Sequence, residues 1–105
     1  MVAGNFEEFW EMLATDLRTR KRVKNWTADK GHYGEDFVAE YSGGDYVRII
    51  SPAARTLLWV PKEEFRMIFD KWQEYVAGKI PRNYFRDRSR FTKYTISITR
   101  SFKNS

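Results

Sequence analysis

With 105 residues, 42% of them hydrophobic, the chain is sized for one domain over residues 1–105 that buries about 60% of the surface its unfolded form exposes, and is far from a disordered composition. The absence of cysteine excludes disulfide frameworks, thiol nucleophiles and cysteine-bearing zinc sites, and the longest apolar run, residues 57–60, is too short to span a membrane. The net charge of +5 is uneven: residues 79–105 carry eight basic side chains against Asp87 alone, a net of +7, which points to a polyanion or an acidic partner.

The N-terminal stretch is acidic and has no apolar run leading to a cleavage site, so a cytoplasmic protein is expected. Asn5 with Glu8 three residues on is a capping box with Asn replacing the usual Ser or Thr. Phe6, Phe9, Trp10, Leu13 and Leu17 continue at helical spacing, which predicts a first helix over about residues 6–20. Glu7, Glu8 and Glu11 in its early turns and Arg18, Arg20, Lys21, Arg22 and Lys24 at its end complement the helix dipole. That basic run is therefore expected to cap a helix in water rather than to hold phosphates.

Residues 25–34 contain Gly31, Gly34 and several turn formers and should be a connection. Within it, Trp26 is expected to fold back onto the core and His32, the sole histidine, to lie exposed in a loop. Phe37, Ala39 and Tyr41 alternate with Asp36, Val38 and Glu40, the period of a half-buried strand. Ser42, Gly43, Gly44 and Asp45 supply a tight hairpin, and residues 46–50 make the return strand. A turn at residues 51–55 leads to a third apolar run at 56–60. Connections this short predict a three-stranded antiparallel meander packed on one face by helices, an α+β fold.

Residues 60–79 carry the clearest helical pattern, with Phe65, Ile68, Phe69, Trp72 and Val76 on one stripe. Pro61 suits the first turn, Glu63 and Glu64 favour the positive end of the dipole, and Gly78 can close the helix in the left-handed conformation. This central amphipathic helix is followed by a basic C-terminal segment expected to be a helix, with a fourth strand as the alternative. Tyr94, Ile96 and Ile98 alternating with Thr95, Ser97 and Thr99 have the period of a fourth strand. Phe91, Tyr94, Ile98 and Phe102 fit a helical stripe as well, with Ser89 or Thr92 as N-cap.

Material for catalysis is scarce. The chain has one histidine, no cysteine and no serine in a nucleophile elbow. Its carboxylate pairs Glu7/Glu8, Glu35/Asp36 and Glu63/Glu64 are neighbours whose side chains point apart. Neither an enzyme, a metal site nor a cofactor is expected. What remains is residues 79–94, where Arg82, Arg86, Arg88 and Arg90 interleave with Tyr84, Phe85, Phe91 and Tyr94. With Lys93 and Arg100 added, this segment can pair cations with the phosphates of DNA or RNA while Tyr84 and Phe85 stack on exposed bases. Four to six phosphate contacts would make duplex binding fall with roughly the fourth or fifth power of salt concentration.

Two other readings compete. The surplus of aromatic residues, 4 Trp, 6 Tyr and 8 Phe, suits a protein-interaction module or a homodimer whose rings form the contact. Trp10, Trp59 and Trp72 could also line a ligand pocket, although core packing explains them more simply. The order Phe65, Trp72, Tyr75, Gly78, Arg82, Ser89, Tyr94 and Ile98 after a three-strand region resembles small α+β proteins encoded by mobile integron gene cassettes, some with winged-helix-like C-terminal halves. It covers about the last 60 residues and implies no activity, cofactor or catalytic residue.

Overall fold

A computed structural model describes residues 4–27, 31–32, 35–51 and 56–103. Helix α1 (Phe6–Leu17) is followed by strand β1 (Lys21–Val23), the short strands β2 (Trp26–Thr27) and β3 (Gly31–His32), and strands β4 (Phe37–Glu40), β5 (Tyr46–Ser51) and β6 (Thr56–Pro61). Helices α2 (Lys62–Val76), α3 (Arg82–Arg86) and α4 (Thr92–Lys103) complete the chain. The sheet is antiparallel with strand order β1-β4-β5-β6, and β2 and β3 pair separately. The α+β class and the meander stand, with a fourth strand added at the edge.

That strand corrects the expected helix end. Helix α1 stops at Leu17, with Arg18 as its C-cap, and the basic run continues as β1 rather than capping the helix. Lys21 and Val23 face the same side as their partners Ala39 and Phe37, so Val23 is buried while Arg22 points the other way. The start of α1 is as the sequence implies. Glu8 N donates to Asn5 Oδ1 at 2.9 Å, and the Glu8 carboxylate reaches back to Asn5 Nδ2 and to Gly4 N.

Gly43 and Gly44 both have positive φ, 118° and 71°, and close the β4–β5 hairpin. Pro61 ends β6 and caps α2 from an extended backbone. At the far end of α2, Gly78 N donates to the Tyr75 carbonyl and Lys79 N to the Glu74 carbonyl, the paired bonds of a Schellman motif with Gly78 at φ 77°. The stripe of α2 is rotated slightly from the expected one. Phe65, Ile68, Trp72 and Tyr75 are its buried residues and Val76 is exposed.

The C-terminal segment is a helix, and it is buried almost all round. Every residue from Tyr94 to Thr99 is inaccessible or nearly so. Two of its buried hydroxyls bond back to the chain before them: Thr95 Oγ1 donates to the Phe91 carbonyl at 3.2 Å and Ser97 Oγ to the Lys93 carbonyl at 2.9 Å. Ser97 Oγ also accepts from Trp26 N at 2.9 Å, tying the β2–β3 pair to α4. Ser89 Oγ accepts from Phe91 N just before the helix starts.

Two hydrophobic clusters share α2 and α4. One lies between the sheet's inner face and the helices, with Phe9, Leu13, Phe37, Ile49, Phe65 and Ile98 at its centre. The other joins Ile68, Trp72, Tyr75, Phe85 and Ile96, and Trp26 packs on it as expected, its ring 6.0 Å from that of Trp72. Val23, Phe37, Ala39, Val47, Ile49 and Val60 on the inner face of the sheet join the helices in the first cluster. The turn expected at residues 51–55 lies mostly outside the described residues, as does the His32 side chain; the His32 backbone pairs with Trp26 rather than looping free.

Candidate nucleic-acid interface

The Schellman turn at Gly78 redirects the chain so that α3 crosses the end of α2, and residues 87–91 then turn it into α4. This α3–α4 corner carries the predicted basic residues. Arg86, Arg88, Arg90 and Lys93 are exposed on it. Arg82 at the start of α3 is half-buried, and its Nε is enclosed with no partner among the described residues. Arg100 lies two turns along α4 from Lys93 on the same side of the helix, half-buried, with its guanidinium carbon 5.0 Å from the Trp26 ring centre. The corner proper is therefore Arg86, Arg88, Arg90 and Lys93, flanked by Arg82 and Arg100.

The two aromatics expected to stack on bases have other roles. Phe85 is fully buried, edge-on to Tyr75 at 5.5 Å, and holds α3 against α2. Its ring is closed to any ligand, which corrects the stacking role expected of it; in a five-residue helix, one side chain has to anchor the element, and Phe85 is that anchor. Tyr84 is half-buried, and the Arg88 guanidinium lies 3.9 Å from its ring centre. Arg88 Nη1 also donates to the Tyr84 carbonyl at 2.8 Å. A guanidinium held against a ring and hydrogen-bonded gives up side-chain freedom before any ligand arrives.

Charge pairing marks this corner by density: Arg18, Arg22, Lys24, Arg66 and Lys79 are also exposed without a carboxylate partner among the described residues, but they are spread over α1, β1 and α2. Arg20 and Arg48 both reach Glu40, Lys21 reaches Asp16 at 2.7 Å, Lys62 reaches Glu7 and Lys71 reaches Glu74. Arg86, Arg88, Arg90 and Lys93 have no carboxylate partner among the described residues, although Asp87 is adjacent in sequence. Arg90 and Lys93 instead lie over the Phe91 and Tyr94 rings at 5.5 and 5.6 Å. Their positive field is left uncompensated.

The three tryptophans considered as a pocket are not brought together. Trp10 is buried in the sheet-side cluster and Trp72 in the other, while Trp59 stands on the opposite face of the sheet. An open groove of about 1190 Å³ runs between α1, β1 and the end of α4. Its polar wall mixes Glu8, Glu11 and Asp16 with Lys21, so it has no consistent charge. No group of three or more potential metal ligands occurs among the described residues, and none of the described helices is long and apolar enough to cross a membrane. Sequence reasoning did not locate the outer side of the sheet: core packing was the simpler reading of Trp59, which is half-exposed there with Tyr46. Comparisons of the chain with protein-family models, with curated proteins and with solved structures found no match.

Proposed function

We propose that the chain is a non-catalytic nucleic-acid-binding module that grips phosphates through the α3–α4 corner. The observation carrying this reading is the concentration of exposed cations without a carboxylate partner at one corner. Arg20, Lys21 and Lys62 sit beside carboxylates, whereas Arg86, Arg88, Arg90 and Lys93, exposed and without a carboxylate partner among the described residues, fall within eight residues of one another. Arg88, held against Tyr84, carries the planar fork that suits a phosphate. Helix α4 itself contributes little more than Lys93 and Arg100 to the surface, because its middle is enclosed. The corner therefore favours backbone contacts over the reading of base edges in a groove.

Fluorescence anisotropy with labelled duplex and single-stranded oligonucleotides at two salt concentrations tests this. Four phosphate contacts predict that duplex affinity falls about 10²-fold between 50 and 200 mM salt. The Arg86→Ala/Arg88→Ala double variant should weaken binding at low salt and flatten the salt dependence by about two contacts' worth. Unchanged affinity in that variant rejects the corner as the site.

A further inference from the structure

The side of the sheet facing away from the helices carries a pattern that core packing does not require. Its outward rows follow from the register: Arg22, Val38, Ile50 and Leu57 in one, Glu40, Arg48 and Trp59 in the next, then Tyr46 with Pro61. Tyr46 is 48% exposed, and Leu57 and Trp59 are 47% exposed. Three of the four large hydrophobic side chains that stand out from the described surface thus share one face. Arg20 extends the second row, since it pairs with Glu40 alongside Arg48. Three arginines against one glutamate give the face a net positive charge.

We infer that this outer face is a separate site for single-stranded nucleic acid, with Trp59 and Tyr46 stacking successive bases and Arg22 and Arg48 meeting the flanking phosphates. Tyr46 pairs with Pro61, so Trp59 is its diagonal neighbour across β5 and β6. Diagonal neighbours lie about 7 Å apart, a step that an extended strand spans between one unstacked base and the next. Sequence-tolerant stacking on exposed rings beside a basic track is the way single strands are held without base reading.

A second copy of the chain is a poorer occupant. The face measures about 15 Å across the strands and about 17 Å along them, roughly 250 Å² against the ~800 Å² per partner of a stable interface. Two copies would also bring like charges together. The inference shares with the proposed function only the class of ligand, because the corner and the sheet's outer face involve different residues and different elements.

The test uses the full chain with fluorescein-labelled single strands of deoxythymidine or uridine, and a mixed-sequence duplex, read by anisotropy. Trp59→Ala and Tyr46→Ala should each weaken single-strand binding about fivefold or more, with Trp59→Phe retaining most of it and duplex binding unchanged. Half-exposed Trp59 can be removed without opening the core, and circular dichroism verifies the fold of each variant. Deoxythymidine and uridine strands separate a DNA from an RNA preference. Single-strand affinity within twofold of the parent in both alanine variants overturns the sheet site, as does light scattering that shows a dimer dissociated by Trp59→Ala. Single-strand binding that depends on Trp59 and ignores Arg86→Ala/Arg88→Ala supports the sheet site; duplex binding that ignores the same double variant rejects the corner and leaves the sheet site standing, and no binding of any oligonucleotide rejects both.

Discussion

Thr99 and Ser97 sit two residues apart on the same buried helix and should respond oppositely to losing a hydroxyl. Thr99 is fully enclosed, and its Oγ1 has no partner among the described residues. Replacing it with a side chain of the same shape, Thr99→Val, is expected to raise stability by about 1 kcal/mol in urea denaturation, because a desolvated hydroxyl is removed without opening a cavity. Ser97 Oγ, by contrast, accepts from Trp26 N and donates to the Lys93 carbonyl. Ser97→Ala leaves the Trp26 amide without its acceptor and should cost about 1–2 kcal/mol by the same measurement. At the other end of the chain, Asn5→Ala removes the acceptor for Glu8 N, with an expected loss of about 1 kcal/mol. The Asn5 and Gly78 roles are readable from sequence because caps act over three or four residues and answer only to local backbone geometry. The Tyr84–Arg88 stack could have been anticipated from its i, i+4 spacing; the burial of Phe85 could not, since both rings flank the same arginines and only the packing of α3 on α2 distinguishes them.

At the scale of elements, α3 is placed by the turn before it. The Gly78 conformation sends the chain across the end of α2, and an added Cβ there meets nothing within 4 Å, so the position excludes side chains by backbone strain alone. Gly78→Ala should therefore lower stability by about 1 kcal/mol, visible as a shifted denaturation midpoint with an unchanged slope. Phe85→Ala is expected to cost about 3–5 kcal/mol and to loosen the corner along with the fold, so binding loss in that variant would report anchoring rather than contact. Helix α4 shows why a period of two misleads. Its Thr95 and Ser97 hydroxyls return to carbonyls three or four residues earlier, which allows polar positions to be buried on a helix surrounded by α2, the sheet and β2. The stripe of Phe91, Tyr94, Ile98 and Phe102 is the pattern the helix obeys, and the buried Thr95, Ser97 and Thr99 beside it imitate a strand. Strand β1 was obscured for a related reason: three residues at a sheet edge, two of them exposed and basic, resemble the end of a charged helix until β4 pairs with them.

For the molecule as a whole, the helices cover one side of the sheet and leave the other to solvent. That asymmetry predicts the response of the four tryptophans to a quencher. Trp10 and Trp72 are buried and Trp59 is half-exposed, so acrylamide should quench the native protein in at least two components, and Trp59→Phe should remove most of the accessible one. The same arrangement gives the chain an unpaired basic corner and an aromatic sheet face built from separate elements, which is why substitutions in one are expected to leave the other's ligand untouched. By itself, the sequence determined the α+β class, α1, the β4–β5 hairpin, β6, α2 and the caps, because each depends on periodicity or turn chemistry within a few residues. Tertiary structure alone decided that residues 21–23 join the sheet, that the helix expected near the C-terminus is enclosed from Tyr94 to Thr99, and that Phe85 lies inside while Trp59 lies outside. Those outcomes rest on partners distant in sequence, whose contacts determine which apolar side chains find cover and which cations find a carboxylate.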